Sequence, residues 1–162
     1  MEDKEGLCCL AAVKRSGAFF NSLQVLQRDL SILCARAHLA SRDRKHSDKD
    51  DAASASQPLV GARVLDAMCG GGVRAVRYAL EVPQVAHTLA VDLDEASSAA
   101  AGRTAELSGC GAATASARHP GGDPGAKKQQ KVVEVRRGDC NEVMRASPGA
   151  FDVLDLDPCG SP

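Results

Sequence analysis

Val64-Leu65-Asp66-Ala67-Met68-Cys69-Gly70-Gly71-Gly72-Val73-Arg74-Ala75-Val76-Arg77-Tyr78-Ala79-Leu80-Glu81 reads as a strand end, a glycine turn and a helix. The apolar run 63–67 suits a buried strand, and residues 73–81 suit a helix that Pro83 halts. Moving toward the C-terminus, the same alternation repeats. Residues 88–92 predict a second strand and 95–107 a helix, with Asp94 as its N-cap. Residues 131–136 predict a third strand, 141–145 a short helix, and 151–157 a fourth strand ending on Asp157. Strands separated by helices mean βαβ units with right-handed crossovers. The fold expected is α/β and Rossmann-like: a parallel sheet with helices on both faces, here about its first four strands.

Toward the N-terminus, residues 21–40 predict a helix, capped by Asn21 or Ser22. Leu23, Leu26, Leu30, Leu33 and Ala37 recur at spacings of three and four and are expected to form its buried face. Residues 41–58 mix charges without an apolar period and read as a mobile linker or insertion. Residues 109–130 are rich in Gly, Ala, Ser and Pro and read as a flexible insertion. The organisation expected is therefore an N-terminal element at 1–40, a linker at 41–58 and a partial catalytic domain at 59–162.

Composition excludes several classes. The chain has 162 residues, a length typical of one domain, and a net charge of -1. With charge so balanced, the chain as a whole is not a basic nucleic-acid binder. No run approaches the ~18 apolar residues of a membrane span, and the charged start Met1-Glu2-Asp3-Lys4-Glu5-Gly6 is neither a secretory signal nor a transit peptide. Seven cysteines without a Cys-x-x-Cys pair read as thiols of a reducing compartment, with no metal site.

In such a sheet, ligands sit beyond the carboxyl ends of the strands, so the residues there carry the functional information. Gly70-x-Gly72-x-x-Ala75 fits the dinucleotide fingerprint, a glycine turn that binds nothing being the alternative. Asp66 weighs against a pyrophosphate, which it would repel. It suits the ammonium and sulfonium of S-adenosylmethionine. Asp92 can accept hydrogen bonds from ribose hydroxyls, a role shared by both cofactors. Asp139 can reach an adenine amino group or serve only its turn. Asp157, followed at once by Pro158, is held rigidly at a strand exit. It can accept a hydrogen bond, and then a proton, from an exocyclic amine aligned with an activated methyl. Asp155 lies on the same side of the strand.

These segments resemble the tRNA (guanine-26-N2)-dimethyltransferase family. Residues 64–81 resemble its cofactor loop. Phe151-Asp152-Val153-Leu154-Asp155-Leu156-Asp157-Pro158-Cys159-Gly160-Ser161-Pro162 resembles its catalytic segment, which usually ends Asp-Pro-Phe-Gly-Ser-Pro. Residues 18–29 are similar to its N-terminal stretch, with Ser22 for the usual proline and Gln27 for the usual asparagine. Gly138-Asp139-Cys140-Asn141-Glu142-Val143-Met144 is similar to its Asp-Ala-x-x-x-Met segment. The resemblance implies a class I methyltransferase that moves one or two methyls from S-adenosyl-L-methionine to N2 of a tRNA guanine. It places Arg28, Arg74, Asp92, Asp139 and Cys140 on cofactor-binding positions, beside Asp66, Gly70 and Gly72, and Asp157 on the catalytic position.

The family continues through further strands and a C-terminal domain that helps hold tRNA. The sequence stops at the catalytic motif, so the expectation is an N-terminal portion with little or no turnover alone. The partner expected is tRNA, mainly through regions outside this chain, with no membrane and no DNA. The location expected from the family is intracellular: the nucleus in a eukaryote, or the mitochondrion. Two other readings compete, an NAD-dependent oxidoreductase and a non-catalytic scaffold derived from a methyltransferase fold.

Overall fold

A computed structural model describes residues 3–47, 61–112 and 131–158. A short antiparallel hairpin, β1 (Lys4–Glu5) and β2 (Cys8–Cys9), opens the chain. Two 3-10 turns, Val13–Arg15 and Ser22–Gln24, lead into α1 (Val25–Ser47). There follow β3 (Ala62–Asp66), α2 (Val73–Glu81), β4 (Val85–Asp92), α3 (Glu95–Leu107), β5 (Gly111–Ala112), β6 (Val132–Arg137), α4 (Cys140–Ala146) and β7 (Val153–Asp155). The main sheet is parallel throughout, in the order β5-β6-β4-β3-β7.

That order fixes where a site can form. From β3 the chain steps outward through β4 to β6, then returns to lay β7 on the other side of β3. The connections leaving β3 and β7 therefore diverge and open a crevice at their carboxyl ends. Helices cover both faces. Val73, Val76 and Ala79 of α2 and Ala101 and Ala105 of α3 pack on one face. Ile32, Ala35 and Leu39 of α1 join Val64, Tyr78 and Val85 on that same side. Cys140 and Val143 of α4 close on Leu65, Leu89 and Val91 from the other. Val64 and Leu65 point to opposite faces, as the two-residue strand repeat requires.

Several sequence expectations are corrected. The stretch at 41–47 is not linker: α1 continues through Ser47, and Arg42 pairs with Asp152 at 2.5 Å. The rest of the proposed linker lies outside the described residues, as do residues 113–130 of the proposed insertion. Gly111 and Ala112, from the start of that insertion, form a fifth strand against Val132 and Val133. The last strand ends at Asp155, so Asp157 stands two residues beyond it.

The buried face of α1 is also not the leucine stripe. Leu23 is 90% exposed and Leu26 is 71% exposed, with Leu30 and Leu33 more than half exposed. Arg28, Ile32, Ala35 and Leu39 face inward instead. Their spacing is equally helical, so the sequence carries two competing stripes. Tertiary partners decide between them: Ile32, Ala35 and Leu39 fit against β3 and α2, and Arg28 meets a buried carboxylate.

The glycine turn has a packing reason of its own. A Cβ on Gly71 would stand 1.9 Å from Val13 Cγ2. Gly72 has φ +78°, and its Cβ would lie 2.7 Å from the Ala101 Cβ and 2.8 Å from the Ala101 Cα. Both strain and collision with α3 oppose any side chain there. Gly72→Ala is expected to destabilise the chain by about 2–4 kcal/mol, read as a lower urea midpoint at unchanged slope.

Candidate functional site at the carboxyl ends of the strands

Two adjoining cavities run along the carboxyl ends of the sheet and share Phe19, Met68 and Gly70. The first lies at the divergence of β3 and β7 and is lined by Phe20, Arg28, Asp66, Arg74 and Asp157. The second, of about 640 Å³, lies over β4 and β6 and is lined by Asp92, Leu93, Gly138, Asp139 and Cys140.

In the first cavity Arg74 is shared among several carboxylates. Arg74, from the first turn of α2, sends Nη1 to Asp155 at 3.0 Å and Nη2 to Asp157 at 2.6 Å. Asp66 also lies within its field, so one guanidinium faces three carboxylates. Asp66 is 3% exposed, and its Oδ2 has no hydrogen-bond partner. Burial, and then the Asp155 charge, push the Asp66 carboxyl up to about 7, against the pull of Arg74. Arg74 Nε is likewise buried without an acceptor. An unpartnered buried carboxylate oxygen is costly unless a cation or donor meets it, so this corner suits a positively charged group.

Tyr78 and Gln27 hold the acids in place. The Tyr78 hydroxyl donates to Asp155 Oδ2 at 2.6 Å, and burial keeps that phenol protonated well above its ordinary value. Gln27 Nε2 donates to Asp157 Oδ1 at 3.4 Å. Tyr78→Phe is expected to destabilise by about 1–2 kcal/mol, because Asp155 Oδ2 loses its donor. Thermal unfolding of the variant measures this.

The second cavity is organised by the turns after β4 and β6. Asp92 accepts Gly70 N–H at 2.8 Å and Asp94 N–H at 2.9 Å, which ties the glycine turn to the end of β4. Asp94 caps α3 through the Ser97 N–H at 2.7 Å. Asp139 caps α4, accepting the Asn141 N–H at 2.8 Å. Cys140, the first residue of α4, is 9% exposed.

The structure thus gathers Arg28, Asp66, Gly70, Arg74 and Asp157 around one cavity, and Gly70, Asp92, Asp139 and Cys140 around the next. Gly72 lines neither and packs on α3 instead. Glu5 carries no local sequence signal, because its partners Arg28 and Arg77 lie 23 and 72 residues away. Phe19 and Phe20 also line the cleft, and the double aromatic in a chain so poor in rings was the available signal. Among the described residues no group of three or more metal-ligating side chains comes together, and no helix is long and apolar enough to cross a membrane.

Fold and cleft together define an open parallel α/β domain with its ligand crevice at the switch point between strands. The N2,N2-dimethylguanosine tRNA methyltransferase family matches residues 2–162, and the chain belongs to it. It is 30% identical over 164 residues to the tRNA (guanine(26)-N(2))-dimethyltransferase of Thermococcus kodakarensis, which covers 98% of this chain and 36% of the relative. It is 28% identical to tRNA (guanine(26)-N(2))-dimethyltransferase 1 of Arabidopsis thaliana, covering 98% of this chain and 33% of the relative. Among solved structures, the complex of Trm1 from Pyrococcus horikoshii with S-adenosyl-L-methionine superposes with a TM-score of 0.64 at 22% identity. That match covers 100% of this chain and 37% of the other. The chain spans about a third of the length of the curated relatives it matches.

Proposed function

We propose that this chain forms the S-adenosyl-L-methionine-binding and catalytic portion of a tRNA guanine-N2 methyltransferase, acting at position 26 to give N2-methyl- and N2,N2-dimethylguanine. The observation that carries it is the buried Asp66 Oδ2, unpartnered in the cleft, while Arg28 and Arg74 of that cleft are already paired with Glu5 and with Asp155 and Asp157. That charge balance suits a cationic cofactor and opposes the pyrophosphate of a dinucleotide. The family match and the cofactor held by the Pyrococcus relative support the same assignment.

S-adenosyl-L-methionine supplies an electrophilic methyl group on a sulfonium. Asp66 would hold its ammonium, with Arg28 and Arg74 on its carboxylate. Asp92 would meet the ribose, and Asp139 with the backbone of Cys140 would meet the adenine. Gly70 keeps the turn close to that path. Asp157 would accept a hydrogen bond from the guanine amino group, orient its lone pair toward the methyl, and take the proton as the N–C bond forms. Arg74 Nη2, 2.6 Å from Asp157 Oδ2, keeps that carboxylate aimed for the task. The tRNA body is assigned to the two thirds of the relatives that this chain does not match.

Titration of the chain with S-adenosylhomocysteine and with NAD tests the reading. Binding of the first and not the second is expected; the reverse order would replace it with the oxidoreductase. Any methyl transfer to unmodified tRNA is then expected to depend on Asp157, and equal, non-zero rates from Asp157→Ala would remove that residue from catalysis.

A further inference from the structure

Glu5 lies on β1, far from the strand ends in sequence, and is 6% exposed. Its two oxygens receive Arg28 Nε and Nη2, both at 2.6 Å, in a two-pronged pair. Arg28 Nη1 donates to the Asn21 carbonyl at 2.9 Å, and the Phe20 ring lies beneath the guanidinium, 5.0 Å from Cζ. A guanidinium has five N–H donors in a rigid plane. Three are taken here, which leaves one on each Nη for the cavity that Arg28 lines.

Glu5 itself is not free to shift. Oε1 also receives Arg77 Nη1 at 3.0 Å, and Arg77 is bound in turn to Asp29 and Glu81. The hairpin is fastened to α2 by Leu7 N–H on Glu81 Oε1 at 3.0 Å, and to the end of α3 by Cys9 N–H on Ser108 Oγ at 3.0 Å. Gly6 sits at φ +56°, where a Cβ would be 2.1 Å from Glu81 Oε1. The hairpin is thus a rigid bracket that ends on the Arg28 guanidinium.

We propose that Glu5 is a positioning residue of the cleft: through its two-pronged pair it fixes the plane in which Arg28 presents its remaining N–H groups to the carboxylate of the bound cofactor. This rests on the assignment of the cleft to S-adenosyl-L-methionine. A merely structural Glu5 would change stability and leave no dependence on what occupies position 28.

A double-mutant cycle on S-adenosylhomocysteine binding separates the two. Arg28→Ala and Glu5→Gln are each expected to weaken binding by roughly tenfold. The double variant is expected to stay within about twofold of Arg28→Ala alone, because Glu5 acts through Arg28. Unchanged binding by Glu5→Gln, or a further tenfold loss in the double variant, would overturn the proposal. Should Glu5→Gln lose its helical circular dichroism, Glu5→Asp takes its place in the same cycle. It keeps the charge and retracts the carboxylate by one methylene. If the wild-type chain itself takes up no S-adenosylhomocysteine, the cofactor assignment fails. Exchange of the Arg28 Nε–H with water, followed by nitrogen NMR, then decides the positioning. Exchange at least tenfold faster in Glu5→Gln supports it, and equal rates overturn it.

Discussion

Arg74→Ala is expected to cost the fold about 3–5 kcal/mol at pH 8, a large part of the stability of a domain this size. The side chain is 8% exposed and holds Asp155 and Asp157 at 3.0 and 2.6 Å. Without it, Asp66, Asp155 and Asp157 lose the guanidinium they share. Asp66, already pushed up to about 7 from 3.8, would be driven higher. The sign follows from linkage. A carboxyl with a folded value above its unfolded one stabilises below the unfolded value, and that contribution is lost as pH rises through the folded value. The penalty of removing Arg74 should therefore be smaller near pH 4, where Asp66 is neutral, and grow through pH 7. Urea unfolding at pH 5 and pH 8 measures it. Arg74→Met is expected to behave alike, since it restores the volume and not the charge. An equal loss at both pH values would assign the effect to packing.

The elements that could be read in advance are those whose cause is local. β3, β4, β6 and α3 follow from apolar runs, a glycine turn and an Asp94 cap within a few residues of one another. The placement of the strand-end carboxylates is legible for the same reason, since a parallel sheet dictates where Asp66, Asp92 and Asp139 must emerge. What stayed hidden depends on partners distant in sequence. Two helically spaced faces compete on α1, and only the contacts with β3 and α2 choose Ile32, Ala35 and Leu39 over Leu26, Leu30 and Leu33. The glycine run 70–72 reads as a ligand turn, yet Val13 and Ala101 fill the space beside Gly71 and Gly72. Only the family resemblance points to Arg28 and Arg74. Their partners, Glu5 and the Asp155–Asp157 pair, leave no periodic or spacing signal.

Asp66→Asn separates the cost of the ligand corner from its use. Its Oδ2 has no partner in the chain, so the ionised form is held at a loss that a neutral amide of the same shape avoids. The variant is expected to be more stable than wild type above pH 7, with the gain vanishing as pH falls toward 4, where wild-type Asp66 is itself neutral. Binding should move the other way. A charge-assisted contact to the cofactor ammonium is worth about 1.5–3 kcal/mol, so S-adenosylhomocysteine should bind the variant roughly 10–100-fold more weakly. In the wild-type chain, a cation beside Asp66 favours the carboxylate. Binding below pH 7 must then expel a proton, and affinity should climb from pH 5 to about 7 and level off above it. Calorimetric titrations in buffers of different ionisation enthalpy count that proton directly. The Asp66→Asn variant should show neither the climb nor the proton. An anionic ligand would give the opposite slope, tightening as pH falls and the corner loses negative charge. The direction of the pH dependence therefore identifies the sign of the charge that the corner was built to receive.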